Sequence, residues 1–333
     1  LVVGIVAAFV IVLLTVIFAA DVFLVIFGGI LLAIFIRGLS DPLHRRTGWS
    51  ERTSVAIVIL SLVAVLAAGG WFLAGEISGQ LDQLGQEITQ TWRRLREQLG
   101  ELPWGRQLLG LLALSQQRLV EDGDAAARLA QAFSSSLGAL ASLIVIVVIG
   151  FYVAVDPQWY RRGVLQIIPP RHRARAARVL GSIGSTLRWW LIGRVISMVV
   201  VGLAIGIGLW LLGVPLALAL GAIAFLLDFI PFIGPLLAAV PALLVAFAIS
   251  PALAASVALL YGGVQLVEGY VLTPLIEQRS VRLPPALTIA AQVLFGVVAG
   301  ALGVLFATPL TAAVVTLVQK LYVEDALGDK KSS

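Results

Sequence analysis

The sequence predicts an all-α, polytopic integral membrane protein with about six single spans, two helical hairpins broken by glycine or proline, and an extracytoplasmic helical insert. Three observations carry that prediction. The 333 residues are 60% hydrophobic and 12% charged, with a mean hydropathy of +1.02, whereas soluble domains carry about 25% charged residues. Apolar runs of span length recur along the chain. Two further apolar tracts, Leu216 to Ile249 and Ala286 to Val318, fit neither one crossing nor two, since a helix needs roughly 20 residues per crossing.

In chain order, single spans are expected over 1–19, 22–36, 54–74, 137–155, 195–212 and 252–271. Leu1 lies inside an apolar run with neither an initiating methionine nor a cleavage pattern, so residues are expected to precede it. Asp21 falls in the short turn expected between the first two spans, on the outer side. Arg37, Arg45, Arg46 and Arg52 mark the loop after the second span as cytoplasmic. The insert that follows, Glu76 to about Ser136, carries eight acids and six arginines, and span parity places it outside. Leu81, Leu84, Ile88, Trp92, Leu95, Leu99 and Leu102 draw one stripe on a helix that ends at Pro103-Trp-Gly105. That stripe packs either on a neighbouring helix over 107–120 or against a second subunit, as in a coiled coil.

Segment 156–194 carries Arg161, Arg162, Arg171, Arg173, Arg175, Arg178, Arg188 and Arg194 against the single acid Asp156. The positive-inside rule makes it cytoplasmic. From Arg171 to Arg194 it reads as an amphipathic helix whose basic face (Arg171, Arg173, Arg175, Arg178) meets anionic lipid rather than nucleic acid, with Trp189 and Trp190 at headgroup level. Lys320, Lys330 and Lys331 place the C-terminus in the cytoplasm as well. The expected organisation is therefore N-terminal spans (1–75), insert (76–136), a span (137–155), basic region (156–194), transport core (195–320) and tail (321–333).

The first hairpin should break at Asp228-Phe-Ile-Pro-Phe-Ile-Gly-Pro235 and the second between Gly296 and Gly303. With the cytoplasmic anchors fixed, span 195–212 plus its hairpin runs opposite to span 252–271 plus its hairpin. This is the layout of an inverted repeat, which places a site between its halves; two unrelated re-entrant elements are the alternative.

An ionisable residue within an apolar span is costly enough to be a functional candidate. Asp228, beside the Pro231 and Pro235 break, and Glu268, near the inner end of its span, are the main two. For Asp228 the competing role is a cap on free backbone N–H groups at the hairpin tip. Gln265 and Gln292 are candidates to contact a polar solute, although an amide at such depth also serves to bind helix to helix. Gly206-Ile-Gly208 lies inside a span and is no phosphate loop. Without cysteine, and with only His44 and His172, both in basic loops, there is no expected metal site, cofactor or catalytic residue. The reading is of a non-enzyme.

The C-terminal half resembles a known family. Ile230-Pro-Phe-Ile-Gly-Pro235, Val240-Pro241-Ala, Val267-Glu268-Gly-Tyr-Val-Leu-Thr-Pro274, Leu283-Pro-Pro-Ala-Leu287 and Ala307-Thr-Pro309 occur in the order seen in the autoinducer-2 exporter family of bacterial permeases. The resemblance implies a multi-pass protein of the bacterial inner membrane that exports a small polar solute such as the quorum-sensing signal autoinducer-2, or that exchanges sodium or lithium for protons. It carries Pro231, Gly234, Pro235, Glu268, Pro274 and Pro309 as motif residues. Expected partners are thus a small polar solute, or a monovalent cation and proton, together with membrane lipids and further copies of the chain in a homo-oligomer. A passive channel or scaffold is the remaining reading.

Overall fold

The computed structural model describes residues 2–65, 67–69, 71, 80, 83, 90, 93, 125–277 and 281–324, and among these all regular structure is helical. The leucine stripe, the segment 107–120 and the tail beyond Glu324 lie outside the described residues. Gln80, Gln83, Gln90 and Arg93 of the insert are helical.

Helix α1 (Val2–Thr47) is continuous, which corrects the expectation of two spans joined by a turn at Asp21. Ala19-Ala20-Asp21-Val22 contains neither glycine nor proline, so nothing interrupts the i→i−4 hydrogen bonds, and the Asp21 side chain is exposed. Among the described residues its segment Ala20–Thr47 is long and apolar enough to cross. Helix α2 (Glu51–Gly69) returns after a short turn. Helix α3 (Ala125–Val155) packs along α1, with Gly28 and Gly29 facing Ile146 and Ile149, and Gly150 facing Leu32. Contacts that advance together along both helices mean that α1 and α3 run parallel, as the parity argument requires. Arg37 locks their ends together: Nε donates to the Ala154 carbonyl (2.7 Å), Nη2 to that of Val155 (3.2 Å), and Nη1 pairs with Glu51 (2.8 Å). These carbonyls belong to the last turn of a helix, where no intrahelical donor remains.

Helix α4 (Pro157–Ile167) leaves α3 at 91°. Helix α5 (Pro170–Leu211) then runs unbroken through both the expected surface helix and the next span. Its first half packs inward through Val179, Leu187 and Leu191. Trp190 is also buried, edge-to-face with Phe229 at 5.8 Å. The side chains of Arg173 and Arg175 bond to the carbonyls of Ile168, Gln166 and Leu321, while Arg171 and Arg178 are exposed.

The first hairpin is α6 (Ala217–Leu227) and α7 (Ile233–Ile249), broken at Asp228–Phe232 as its proline-rich sequence predicts. At 1.5 Å per residue α6 is about 16 Å long, roughly half the hydrocarbon thickness. Helix α8 (Pro251–Val267) continues into a π-helical turn, Glu268–Leu272, and α9 (Thr273–Glu277). Pro274 lacks the N–H that would bond Tyr270, and the widened turn before it accommodates the proline ring, with Thr273 N–H reaching back five residues to Glu268.

The second hairpin lies within α10 (Pro285–Val318), which breaks at Ala299 and Gly300. Gly300 has a φ of +55°, a conformation for which glycine carries no Cβ penalty. The chain folds back so closely that a Cβ on Gly303 would overlap the Phe295 carbonyl, as one on Gly234 would overlap that of Leu227 in the first hairpin. Both hairpins thus close on a glycine seated against a carbonyl of the preceding arm. Helices α5 and α8 are antiparallel, since Arg194 meets Glu268 while Gly208 meets Leu260. Each is followed by its hairpin. A core of Val201, Ile205, Leu209, Leu220, Val245 and Val257 joins α5 to α8.

Candidate functional site

Three elements meet here. Arg194 projects from α5 with Ser197 one turn along the same face, Asp228 ends α6 at the tip of the first hairpin, and Glu268 opens the π turn after α8. All four side chains are buried, Asp228 completely. Arg194 Nη1 donates to Glu268 Oε1 at 2.9 Å, and its Nη2 stands 3.3 Å from Asp228 Oδ1. Ser197 donates to the same Glu268 oxygen (3.0 Å) and Gln265 Nε2 to the other (3.0 Å). Glu268 is thereby held by three donors. Asp228 has the ion pair alone, because neither of its oxygens accepts a hydrogen bond from a described residue. The cap role for Asp228 is therefore not the one it fills.

The sequence candidates Asp228, Glu268 and Gln265 are brought together. Gln292 is set apart from the ion pairs: fully buried on the first arm of α10, it donates to the Pro231 carbonyl at 2.8 Å. It joins one hairpin to the tip of the other, the helix-binding role weighed for it. Pro231 lines the cavity beside the site, Gly234 and Pro235 are buried in the first turn of α7, Pro274 sets the π turn, and Pro309 is buried in the returning arm of α10.

Sequence reasoning does not single out Arg194 or Ser197. Arg194 ends a basic segment and so reads as one more solvated arginine, yet it is 8% exposed and lies inside the protein. The available signal was the Arg194-x-x-Ser197 spacing at the start of an apolar run, which puts both on one helix face.

A cavity of about 210 Å³ opens beside these groups, lined on its polar side by Arg194, Gln265, Glu268, Thr288 and Thr308 and on its apolar side by Trp190 among others. Asp228 stands behind its wall. With both acids ionised, two carboxylates face one guanidinium, a formal excess of one negative charge. Buried charges of this kind are tolerable only when paired and hydrogen-bonded. The site can accept a proton or cation at the carboxylates, and it offers donors and acceptors to a hydroxylated solute.

Comparison with known proteins places the chain in a family. The chain is 32% identical over 162 residues to YrrI of Bacillus subtilis (strain 168), provisionally named a transport protein; that match covers 49% of this chain and just under half, 46%, of YrrI. It is 30% identical over 332 residues to MT0215 of Mycobacterium tuberculosis (strain CDC 1551 / Oshkosh), also provisionally a transport protein, covering 92% of this chain and 86% of that protein. It is 25% identical over 303 residues to the AI-2 transport protein TqsA of Escherichia coli (strain K12), covering 90% and 85%. The sequence pattern of AI-2E family transporters matches residues 6–322. With its glycine-closed hairpins and apolar crossing helices, this multi-pass membrane protein belongs to the AI-2E transporter family.

Proposed function

We propose that the chain is a secondary transporter of the bacterial inner membrane, with its C-terminus in the cytoplasm, that exports a small polar solute such as autoinducer-2. The observation that carries this reading is one guanidinium, Arg194, shared between Glu268 at the end of α8 and Asp228 on the first hairpin, at the polar side of a largely apolar cavity. A neutral, hydroxyl-rich solute brings no charge of its own to desolvate. It can receive hydrogen bonds from Arg194 and Gln265 and donate to Glu268. Arg194 pairs with both acids, so protonation of one weakens its hold on the guanidinium and leaves it to the other, shifting the buried pairing between α8 and the hairpin tip. A two-state contact of this sort couples proton binding to access, because each state is favoured by a different protonation. The similarity to TqsA, an AI-2 transport protein, supports the substrate class. Homo-oligomeric assembly and contact of Arg171 and Arg178 with lipid belong to the same proposal.

The formal excess of one carboxylate favours a second reading, sodium or lithium exchange for protons at the same acids. Proteoliposomes carrying an internal pH dye distinguish the two. Export predicts no pH change on a sodium or lithium pulse and uptake of autoinducer-2 into inside-out vesicles that Glu268→Gln reduces. A cation-evoked pH change abolished by Glu268→Gln selects the antiporter.

A further inference from the structure

The corner between α3 and α4 identifies a membrane-surface element that the transport reading does not use. Asp156 and Pro157 make the corner: Pro157 has no N–H with which to continue α3, and the Asp156 carboxylate accepts from Trp159 N–H at 3.2 Å, capping a new helix. The new axis lies at 91° to the apolar segment Leu140–Val155. A helix perpendicular to a crossing helix at its end lies in the plane of the bilayer. With eleven residues, two arginines and two glutamines, α4 is too short and too polar to cross.

Its faces are sharply divided. Trp159, Tyr160, Val164 and Ile167 fall on one side, by their spacing of one, four and three residues. All are exposed, Trp159 to 69% and Ile167 to 86%. The opposite side is attached to the protein: Leu165 is half-buried, and Arg161 Nη2 donates to the Ala177 carbonyl of α5 at 2.8 Å. Arg162 flanks the apolar face and bonds Gln158.

We infer that the Trp159–Ile167 face of α4 is seated in the lipid leaflet at the arginine-rich end of the protein. Its occupant is the boundary between headgroups and acyl chains. Continuity with a crossing helix fixes the orientation, indole and phenol rings suit that boundary, and the adjacent arginines complement anionic headgroups. The basic stretch 171–178 is not this element, since Arg173 and Arg175 already serve backbone carbonyls.

The chain has no cysteine, so single-cysteine variants can be spin-labelled without background. The full chain carrying Val164→Cys or Ile167→Cys, and Gln158→Cys as the polar-side control, would be labelled and placed in phosphatidylcholine–phosphatidylglycerol vesicles. Collision with oxygen would then be compared with collision with a water-soluble nickel chelate. The expected result is a reversal: oxygen dominates at 164 and 167, nickel at 158. Nickel dominating at 164 and 167 would overturn the inference. So would spin–spin broadening at those positions that disappears on dilution with unlabelled chain, because a second copy would then cover the face.

Discussion

Arg194 Nη1 and Glu268 Oε1 are 2.9 Å apart across 74 residues of sequence, and the same guanidinium reaches to 3.3 Å from Asp228. A planar fork can serve two carboxylates at once, which a lysine ammonium on a flexible stem does less well. The contact ties α8 to the tip of the first hairpin through a single side chain.

Removing that side chain leaves two buried carboxylates without a counter-ion. Arg194→Ala is expected to cost about 3–5 kcal/mol, the range for breaking a buried ion pair from one side, and to lower the thermal midpoint in detergent. Adding Asp228→Asn and Glu268→Gln should recover most of that stability, while flux in proteoliposomes stays lost. Recovery of flux in the triple variant would show that the cluster serves folding only.

The two hairpin glycines should be intolerant of even a methyl group. Gly234→Ala and Gly303→Ala each place Cβ onto a backbone carbonyl, and overpacking of this kind costs about 1–3 kcal/mol or more. Gly262→Ala, with nothing within 4 Å of its new Cβ, should be neutral to slightly stabilising in the helix, by up to about 1 kcal/mol. Midpoints by scanning fluorimetry compare the three directly.

Pro274→Ala supplies the missing N–H and lets the π turn at Glu268–Leu272 relax to an α-helix. Because one residue is a rotation of about 100° on a helix, the Glu268 carboxylate would swing away from Arg194. The protein should remain folded and lose flux by about an order of magnitude, equivalent to a contact of roughly 1.4 kcal/mol. Unchanged flux would separate the π turn from the positioning of Glu268.

Gln292→Met keeps the side-chain length but removes the donor to Pro231. The Pro231 carbonyl still accepts from Ile233 N–H, so the loss is one hydrogen bond between the hairpins, about 0.5–1.5 kcal/mol. Hydrogen exchange should rise at the first hairpin tip more than in the paired core of α5 and α8.

Much of the fold was legible because it follows from solvent physics. Apolar run length located the membrane-long helices after residue 50, and the proline and glycine clusters located both hairpin breaks. Asp228 and Glu268 stood out because a charge at membrane depth is costly wherever its partner lies. The merger at Asp21 was not legible, since a single exposed acid in an uninterrupted helix looks like a turn when only hydropathy is read.

By itself, then, the sequence determined which segments enter the membrane, where they break and which acids are expensive there, since hydration, backbone hydrogen bonding and glycine or proline geometry are local. Only the tertiary structure decided what those acids face. Arg194 ends an arginine-rich run in the sequence, and its identity as the counter-ion of Asp228 and Glu268 arises because α5, the first hairpin and α8 converge on it. Likewise Gln292 was a polar residue in a span until the second hairpin brought it against Pro231. Long-range pairing of this kind depends on packing between distant segments, and no local spacing encodes it.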